Sequence, residues 1–320
     1  MKAKRKLNLA VLGPGTIADV VINNIKNIVD INLYAVASRS LDRAVKFKEE
    51  HGFTKAYGSY QDLYNDDDID LIYITTPHSF HFEQMKEAIL HNKNVLCEKA
   101  FTLNYKDAKE IIDLASTHHV FVAEAMLTAY LPSRKLIKDL IASGIIGNII
   151  EYNGVFANNL MHVERVVNKE LGGGSLFDIG IYPLYFAYLL FGDDFKITNI
   201  KLKKYNDIDE ECSFTLEYTN NIKANIFSSI SKDLGIYCDI IGTKGRIRIE
   251  NVARPSSITI FNENNDIVKE YKDLRSTSGY EYEFFESINS INNNLIENVS
   301  MNHKNTLDIM RIISSVLSSI

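Results

Sequence analysis

Along the first 125 residues the apolar positions follow two alternating periods. Predominantly apolar runs of strand length, at residues 7–12, 31–37, 70–75 and 94–98, are separated by longer stretches in which apolar residues recur every three or four positions. Ile17, Val20, Val21, Ile25 and Ile28 predict a helix over 16–29. Further helices are predicted over 41–51, 60–65, 78–91 and 105–118, the last capped by Asn104. With a short strand near Ala56 and another over 120–125, six strands alternate with helices, the pattern of a doubly wound α/β domain. The apolar run over 70–75 agrees with this, because a parallel sheet is covered on both faces.

Beyond Met126 the pattern changes. A helix over 132–143 and a strand over 149–156 lead into a loop rich in Asn and Glu, the glycines 172–174, and an apolar helix over 175–191 stopped by Gly192. Segments near 197–205, 212–218, 223–229, 236–241, 246–250 and 257–261 are β-like and joined by short turns, which implies antiparallel pairing. Helices over 280–298 and 303–319 close the chain. The expected fold is therefore an N-terminal doubly wound Rossmann domain, 1–126, plus a C-terminal α+β domain, 127–320. The second domain holds a mainly antiparallel open sheet, and the C-terminal helix is expected to pack back on the first domain.

Composition narrows the function. A chain of 320 residues with 46% hydrophobic and 24% charged residues is globular, and a net charge of −6 gives no general attraction to nucleic acid or an anionic membrane. The expected partner is a small molecule in a cleft. The basic run Lys2, Lys4, Arg5, Lys6 precedes an apolar segment too short for a signal peptide or a membrane span. Cys97, Cys212 and Cys238 form no C-x-x-C pair, which points to a reducing, cytoplasmic setting. An uncovered apolar face on the second domain's sheet would make the chain a homodimer or homotetramer through that sheet.

Candidate chemistry begins where the first strand breaks, at Gly13-Pro14-Gly15-Thr16-Ile17-Ala18. Gly13 permits a tight turn, Gly15 lets backbone amides approach a pyrophosphate at the positive end of the next helix, and Ala18 allows close helix–strand packing. The second strand ends in Ser38-Arg39-Ser40, without the acidic residue that would bind a ribose 2′-OH. A guanidinium and hydroxyls suit a 2′-phosphate, so NADP is the expected cofactor, with NAD as the alternative. Thr75-Thr76-Pro77-His78-Ser79-Phe80-His81 closes the strand over 70–75, where a cofactor would pass. His78 and His81 have no third partner at ligand spacing, and no metal is expected. Lys99 directly follows a buried strand, where it can hold a cofactor ribose or a substrate hydroxyl and lower a neighbouring acid's pKa. Asp178 and Tyr182, four apart on a predicted helix, project from one face. As general acid or base the tyrosine would benefit from an adjacent cation.

These residues resemble the glucose-fructose oxidoreductase/inositol dehydrogenase/rhizopine-catabolism family through nearly the whole chain. The resemblance rests on the turn 13–18, the loop 76–81, Glu98-Lys99-Ala100, Glu124-Ala125-Met126 and the run from Gly172 to Leu184. Tyr182, with Arg165 upstream and Leu171 before the glycines, is most similar to the dihydrodiol dehydrogenase-like members. The resemblance implies a hydride transfer between nicotinamide and a hydroxyl-bearing carbon of a sugar, polyol or cyclic diol. It makes Lys99 and Tyr182 catalytic with Asp178 beside them, and has Arg165 meet substrate. Gly13, Gly15, Thr16, Ile17, Ser38, Arg39, Ser40, Thr75, Thr76, Pro77, His78, His81, Glu98 and Lys99 would line the cofactor, and the loop 158–170 would select the substrate. Ala100 stands where that family has proline, so a trans Lys99–Ala100 bond is expected. A dinucleotide-binding regulator without turnover, or a cofactor-dependent lyase or glycosidase, remains an alternative on the same residues.

Overall fold

The computed structural model describes residues 6–275 and 277–319; Lys2, Lys4 and Arg5 of the basic run lie outside them. The chain gathers into two units. One runs through Met126 and takes in Tyr280–Leu307, and the other holds Leu127–Gly279 and the chain from Asp308 onward.

Among the described residues the first unit has a six-stranded parallel sheet. Its strands are β1 (Leu7–Leu12), β2 (Ile31–Ala37), β3 (Lys55–Tyr57), β4 (Leu71–Ile74), β5 (Asn94–Glu98) and β6 (Val122–Ala125), in the order β3-β2-β1-β4-β5-β6. The order reverses between β1 and β4, and the Thr75 amide donates to the Leu12 carbonyl at 3.0 Å across that point. The ends of these two strands therefore flank the crevice in which open α/β sheets bind ligands. The first helix is Thr16–Ile25 and does not reach Val29. Ile28 bonds back to Ile25, which buries Ile28 and leaves Val29 exposed. Residues from the end of the chain complete this unit. Phe284 and Ile288, on the helix Tyr280–Asn292, join the core around Leu9, Val11 and Tyr73, and the Val122 amide on the outer strand donates to the Ile296 carbonyl.

Among the described residues the second unit has an eight-stranded sheet. Its strands are β7 (Ile149–Ala157), β8 (Phe195–Tyr205), β9 (Ile208–Tyr218), β10 (Lys223–Ser229), β11 (Gly235–Gly242), β12 (Gly245–Glu250), β13 (Ser257–Asn262) and β14 (Ile267–Tyr271), in the order β14-β13-β12-β11-β7-β10-β9-β8. Every pairing is antiparallel except β7 with β10. These two are not chain neighbours, so the short-turn argument does not reach them. β14 is absent from the sequence reading because Ile267, Val268, Lys269 and Glu270 are all exposed, leaving no buried face to impose a period of two. The apolar stretch 175–191 is not one regular helix: a wide π turn, Leu176–Gly180, precedes the α-helix Ile181–Phe191. That helix packs on the even-numbered side of β7, where the Tyr152 hydroxyl donates to the Pro183 carbonyl at 3.0 Å. Lys169–Phe191 is long and apolar enough to cross a membrane, but 78% of its most apolar window is buried inside the fold.

The opposite face of this sheet corrects the expectation of an apolar surface. It presents Asn153, Asn199, Lys201, Ser213, Thr215 and Asn225, with Val155 and Phe227 among them, around a shallow groove of about 390 Å³. Thr215 donates to Asn225 at 2.9 Å, and Asn225 donates to Asn153 at 2.9 Å and to Glu151 at 2.6 Å. These side chains satisfy one another, so the face does not need an apolar cover. Cys97, Cys212 and Cys238 are all buried and unpaired.

Candidate active site

Gly13 has φ +95°, and a Cβ there would fall 2.6 Å from Thr76 Cγ2, so the turn after β1 closes only with glycine. Its amide donates to the Ala37 carbonyl at 3.1 Å, and Thr75 Oγ1 donates to the Gly13 carbonyl at 2.6 Å. At Gly15 an added Cβ would meet only the Gly13 carbonyl oxygen, at 3.9 Å, so space opens in front of its backbone. The helix beginning at Thr16 has no side-chain cap, whereas Ser59 and Asn104 cap theirs. Free first-turn amides, from exposed Thr16 and half-buried Ile17 onward, form an anion site that fits a pyrophosphate.

At the end of β2, Ser38 is buried and its Oγ accepts the Ser40 amide at 3.3 Å. Arg39 is exposed, with its guanidinium 5.6 Å from the Phe80 ring centroid. Arg43, which sequence reasoning passed over, donates from Nη2 to the Pro14 carbonyl at 3.2 Å. Burial pushes the Tyr60 hydroxyl up in pKa, and Arg39 and Arg43 both pull it down, so both cations act on one locality. The available signal was spacing: Arg43 lies four residues after Arg39, in the first turn of the helix Leu41–His51. Two guanidiniums beside the glycine turn fit a 2′-phosphate better than a bare ribose.

Lys99 is half-buried at the end of β5, and the Lys99–Ala100 peptide is cis, which corrects the expectation of a trans bond. The segment is held on both sides. His78 Nε2 donates to the Lys99 carbonyl at 3.1 Å, His81 Nδ1 lies 2.9 Å from the Ala100 carbonyl oxygen, and the Phe101 amide donates to Glu124 Oε1 at 3.1 Å. Both histidine rings are buried, and His81 also places Nε2 2.8 Å from the Thr76 carbonyl oxygen. Burial pushes the His81 pKa down, the surrounding carbonyls push it up, and Lys99 lowers it.

Three buried carboxyls surround this strand end. Glu98 accepts the Tyr73 hydroxyl. Burial pushes Glu124 up to about 7, against hydrogen bonds from Thr306 and Phe101. Glu283, on the helix Tyr280–Asn292, is 1% exposed with neither oxygen hydrogen-bonded; burial, then Glu98, drives it well above the usual carboxyl range.

In the second unit, Gly174 has φ +127°, and a Cβ there would fall 2.3 Å from Asp209 Oδ1. Asp209 Oδ2 accepts Ser175 Oγ and the Leu176 amide, both at 2.7 Å, and so caps the start of the wide turn. Burial raises Asp209 to about 6, against these hydrogen bonds. Asp209 also escaped sequence reasoning, since it lies on β9, far along the chain from the turn it anchors. Within that turn Asp178 is buried and paired with Arg165, Nη1 to Oδ1 at 2.5 Å. Arg165 comes from the short helix Glu164–Val167, which the Gly174 amide ties in by donating to the Val166 carbonyl. Tyr182 is half-buried, its ring 5.8 Å from Phe156 and against the apolar cluster of Phe156, Val166 and Ile179. Of the sequence-derived set in this unit, Arg165 and Asp178 are joined directly, with Tyr182 on the first turn of the α-helix.

Comparison with known proteins gives two family matches. Residues 7–126 match an oxidoreductase family with an NAD-binding Rossmann fold, and residues 135–248 match the GFO/IDH/MocA C-terminal domain. Trans-1,2-dihydrobenzene-1,2-diol dehydrogenase of Xenopus tropicalis is 34% identical over 236 residues, 72% of this chain and 71% of the relative. The Homo sapiens enzyme of that name is 32% identical over 219 residues, 68% of this chain and 66% of the relative. A 3-ketoreductase from Actinomadura kijaniata, solved with NADP and TDP-benzene, superposes with a TM-score of 0.91 at 20% identity, covering 97% of each chain. An aldose-aldose oxidoreductase from Caulobacter crescentus, complexed with glycerol, gives 0.88 at 19%, covering 98% of this chain and 97% of the other. At such identities the structural likeness is one of fold.

Proposed function

The chain belongs to the GFO/IDH/MocA family of nicotinamide-dependent oxidoreductases, and from that premise we propose an NADP-preferring dehydrogenase or reductase acting on a CH–OH carbon of a sugar, polyol or cyclic diol. The observation that carries this reading is Lys99, half-buried in the same unit as the dinucleotide turn, together with Tyr182, half-buried on a helix start that Asp209 and the Arg165–Asp178 pair hold in place. The diol and sugar classes draw support from the dihydrodiol dehydrogenases and from the sugar oxidoreductases that share the fold.

When bound, the dinucleotide supplies the two-electron donor or acceptor. Gly13, Gly15 and the uncapped amides of the first helix hold its pyrophosphate, while Ser38, Arg39, Ser40 and Arg43 receive the 2′-phosphate. Thr75, Thr76, Pro77 and Glu98 complete the cofactor wall. Tyr182 gives or takes the hydroxyl proton, and the Lys99 ammonium stabilises developing negative charge. Asp178, fixed by Arg165, steadies the wide turn that leads into the helix carrying Tyr182. We further propose a cytoplasmic homo-oligomer that associates through the polar face of β7, β9 and β10; three buried unpaired thiols support the reducing compartment.

The test is turnover followed by NADPH absorbance across sugars, polyols and cyclic diols, with cofactor binding measured separately. Tyr182→Phe should lower kcat by about a hundredfold or more while NADP Kd stays put. An unchanged rate removes the tyrosine from the reaction, and tighter binding of NAD than of NADP removes the Arg39–Arg43 reading.

A further inference from the structure

His78 and His81 begin the segment after β4: a single 3₁₀ turn, His78–Phe80, and then the helix His81–Leu90. Histidines at a helix start usually face water, but these are 7% and 0% exposed, with their rings edge-to-face at 5.7 Å. A buried imidazole needs partners for its nitrogens. Here the carbonyls of two separate loops face those nitrogens, Lys99 opposite His78, and Ala100 and Thr76 opposite the two nitrogens of His81. As the neutral ring, His81 donates its one N–H to one of them and packs against the other, and it donates to both only as the imidazolium. Thr76 is also the residue packed against Gly13 in the dinucleotide turn. Gly13, Thr76, His81 and Ala100 thus form a continuous line of contact from the pyrophosphate turn to the lysine segment, all within one unit.

We propose that His78 and His81 are positioning residues: His78 fixes the Lys99 carbonyl, and His81 bridges the cofactor loop at Thr76 to the Lys99–Ala100 segment, so that the placement of Lys99 depends on the placement of the cofactor loop. The proposal rests on the reading that Lys99 acts in the reaction. It assigns these two side chains to the protein backbone and not to the dinucleotide, because His78 Nε2 and both ring nitrogens of His81 face main-chain carbonyls.

The two arms of His81 separate chemically. An asparagine amide occupies the place of Nδ1 and reaches only toward Ala100, whereas a glutamine amide occupies the place of Nε2 and reaches only toward Thr76. His81→Gln should lower kcat at saturating NADP by roughly tenfold, the effect of one lost buried hydrogen bond, and move NADP Kd much less. His81→Asn should do the reverse, raising Kd more than it lowers kcat. In a Lys99→Ala background His81→Gln should cost nothing further in kcat. Equal effects of both variants on kcat and Kd, or a fully additive loss in the double variant, would overturn the bridge. If Lys99→Ala alone leaves kcat unchanged, it is the catalytic reading of Lys99 that fails, and the bridge is then judged on the Kd difference alone. Should the His81 variants not fold, the His78 pair decides. His78→Gln keeps a donor toward the Lys99 carbonyl and should retain the kcat that His78→Ala loses; equal loss in both rejects the proposal.

Discussion

Glu124 accepts hydrogen bonds from the Phe101 amide and the Thr306 hydroxyl, yet burial still raises it to about 7. Because its folded pKa lies above the unfolded carboxyl value, the stability it contributes is fully present below about pH 4.5 and is lost as pH rises through about 7. The shift corresponds to about 3 kcal/mol across that window. Glu124→Gln should therefore flatten the urea-unfolding stability between pH 4.5 and 7 relative to the parent chain. Parallel curves for the two proteins would show that Glu124 does not titrate there. Asp209 loses stability over a similar range in both proteins and so cancels in the difference. Asp209 does not announce itself in the sequence, and Glu124 enters it only within Glu124-Ala125-Met126, with nothing local to mark its protonation. Their chemistry comes from neighbours that the chain brings from elsewhere, Thr306 to Glu124 and Ser175 to Asp209.

The helices of the first unit divide into capped and uncapped starts. Asn104 accepts the Asp107 amide at 2.9 Å, and Ser59 accepts the Asp62 amide at 3.1 Å, while Gly15 offers no side chain at all. The starts at Leu41 and His81 also lack a side-chain cap, and the one after β1 is set apart by its two glycines and by its place beside the point where the strand order reverses. Asn104→Ala should cost about 1 kcal/mol in denaturant-midpoint measurements and leave NADP affinity unchanged. Weakened NADP binding would mean that the helix Tyr105–His118 supports the cofactor loops and not only itself. Most elements were legible from periodicity, because β1, β2, β4 and β5 are buried runs bounded by Gly, Pro or polar residues. The wide turn Leu176–Gly180 was not, since its local sequence is as apolar and helix-compatible as the helix Ile181–Phe191 beyond it, and Asp209 on β9 is the residue that shapes it. β14 escaped because it is an edge strand with exposed side chains.

For the whole molecule, the polar ladder across β7, β9 and β10 changes what association would look like. An interface of Asn153, Thr215 and Asn225 offers hydrogen bonds more than apolar area, so the proposed oligomer should be sensitive to one bulky charge placed in it. Light scattering at micromolar concentration should give more than one protomer for the parent chain and a lower mass for Asn225→Arg. A monomeric parent chain would remove the proposal. The sequence by itself determined the fold class, the order of nearly all strands and helices, and the residue types at the dinucleotide turn, because periodicity and glycine placement are local properties. Only the tertiary structure decided that Arg43 joins Arg39, that Arg165 pairs with Asp178, and that His78 and His81 face inward. Each of these depends on which distant backbone carbonyl or carboxylate is folded within hydrogen-bonding distance, and no local pattern encodes that.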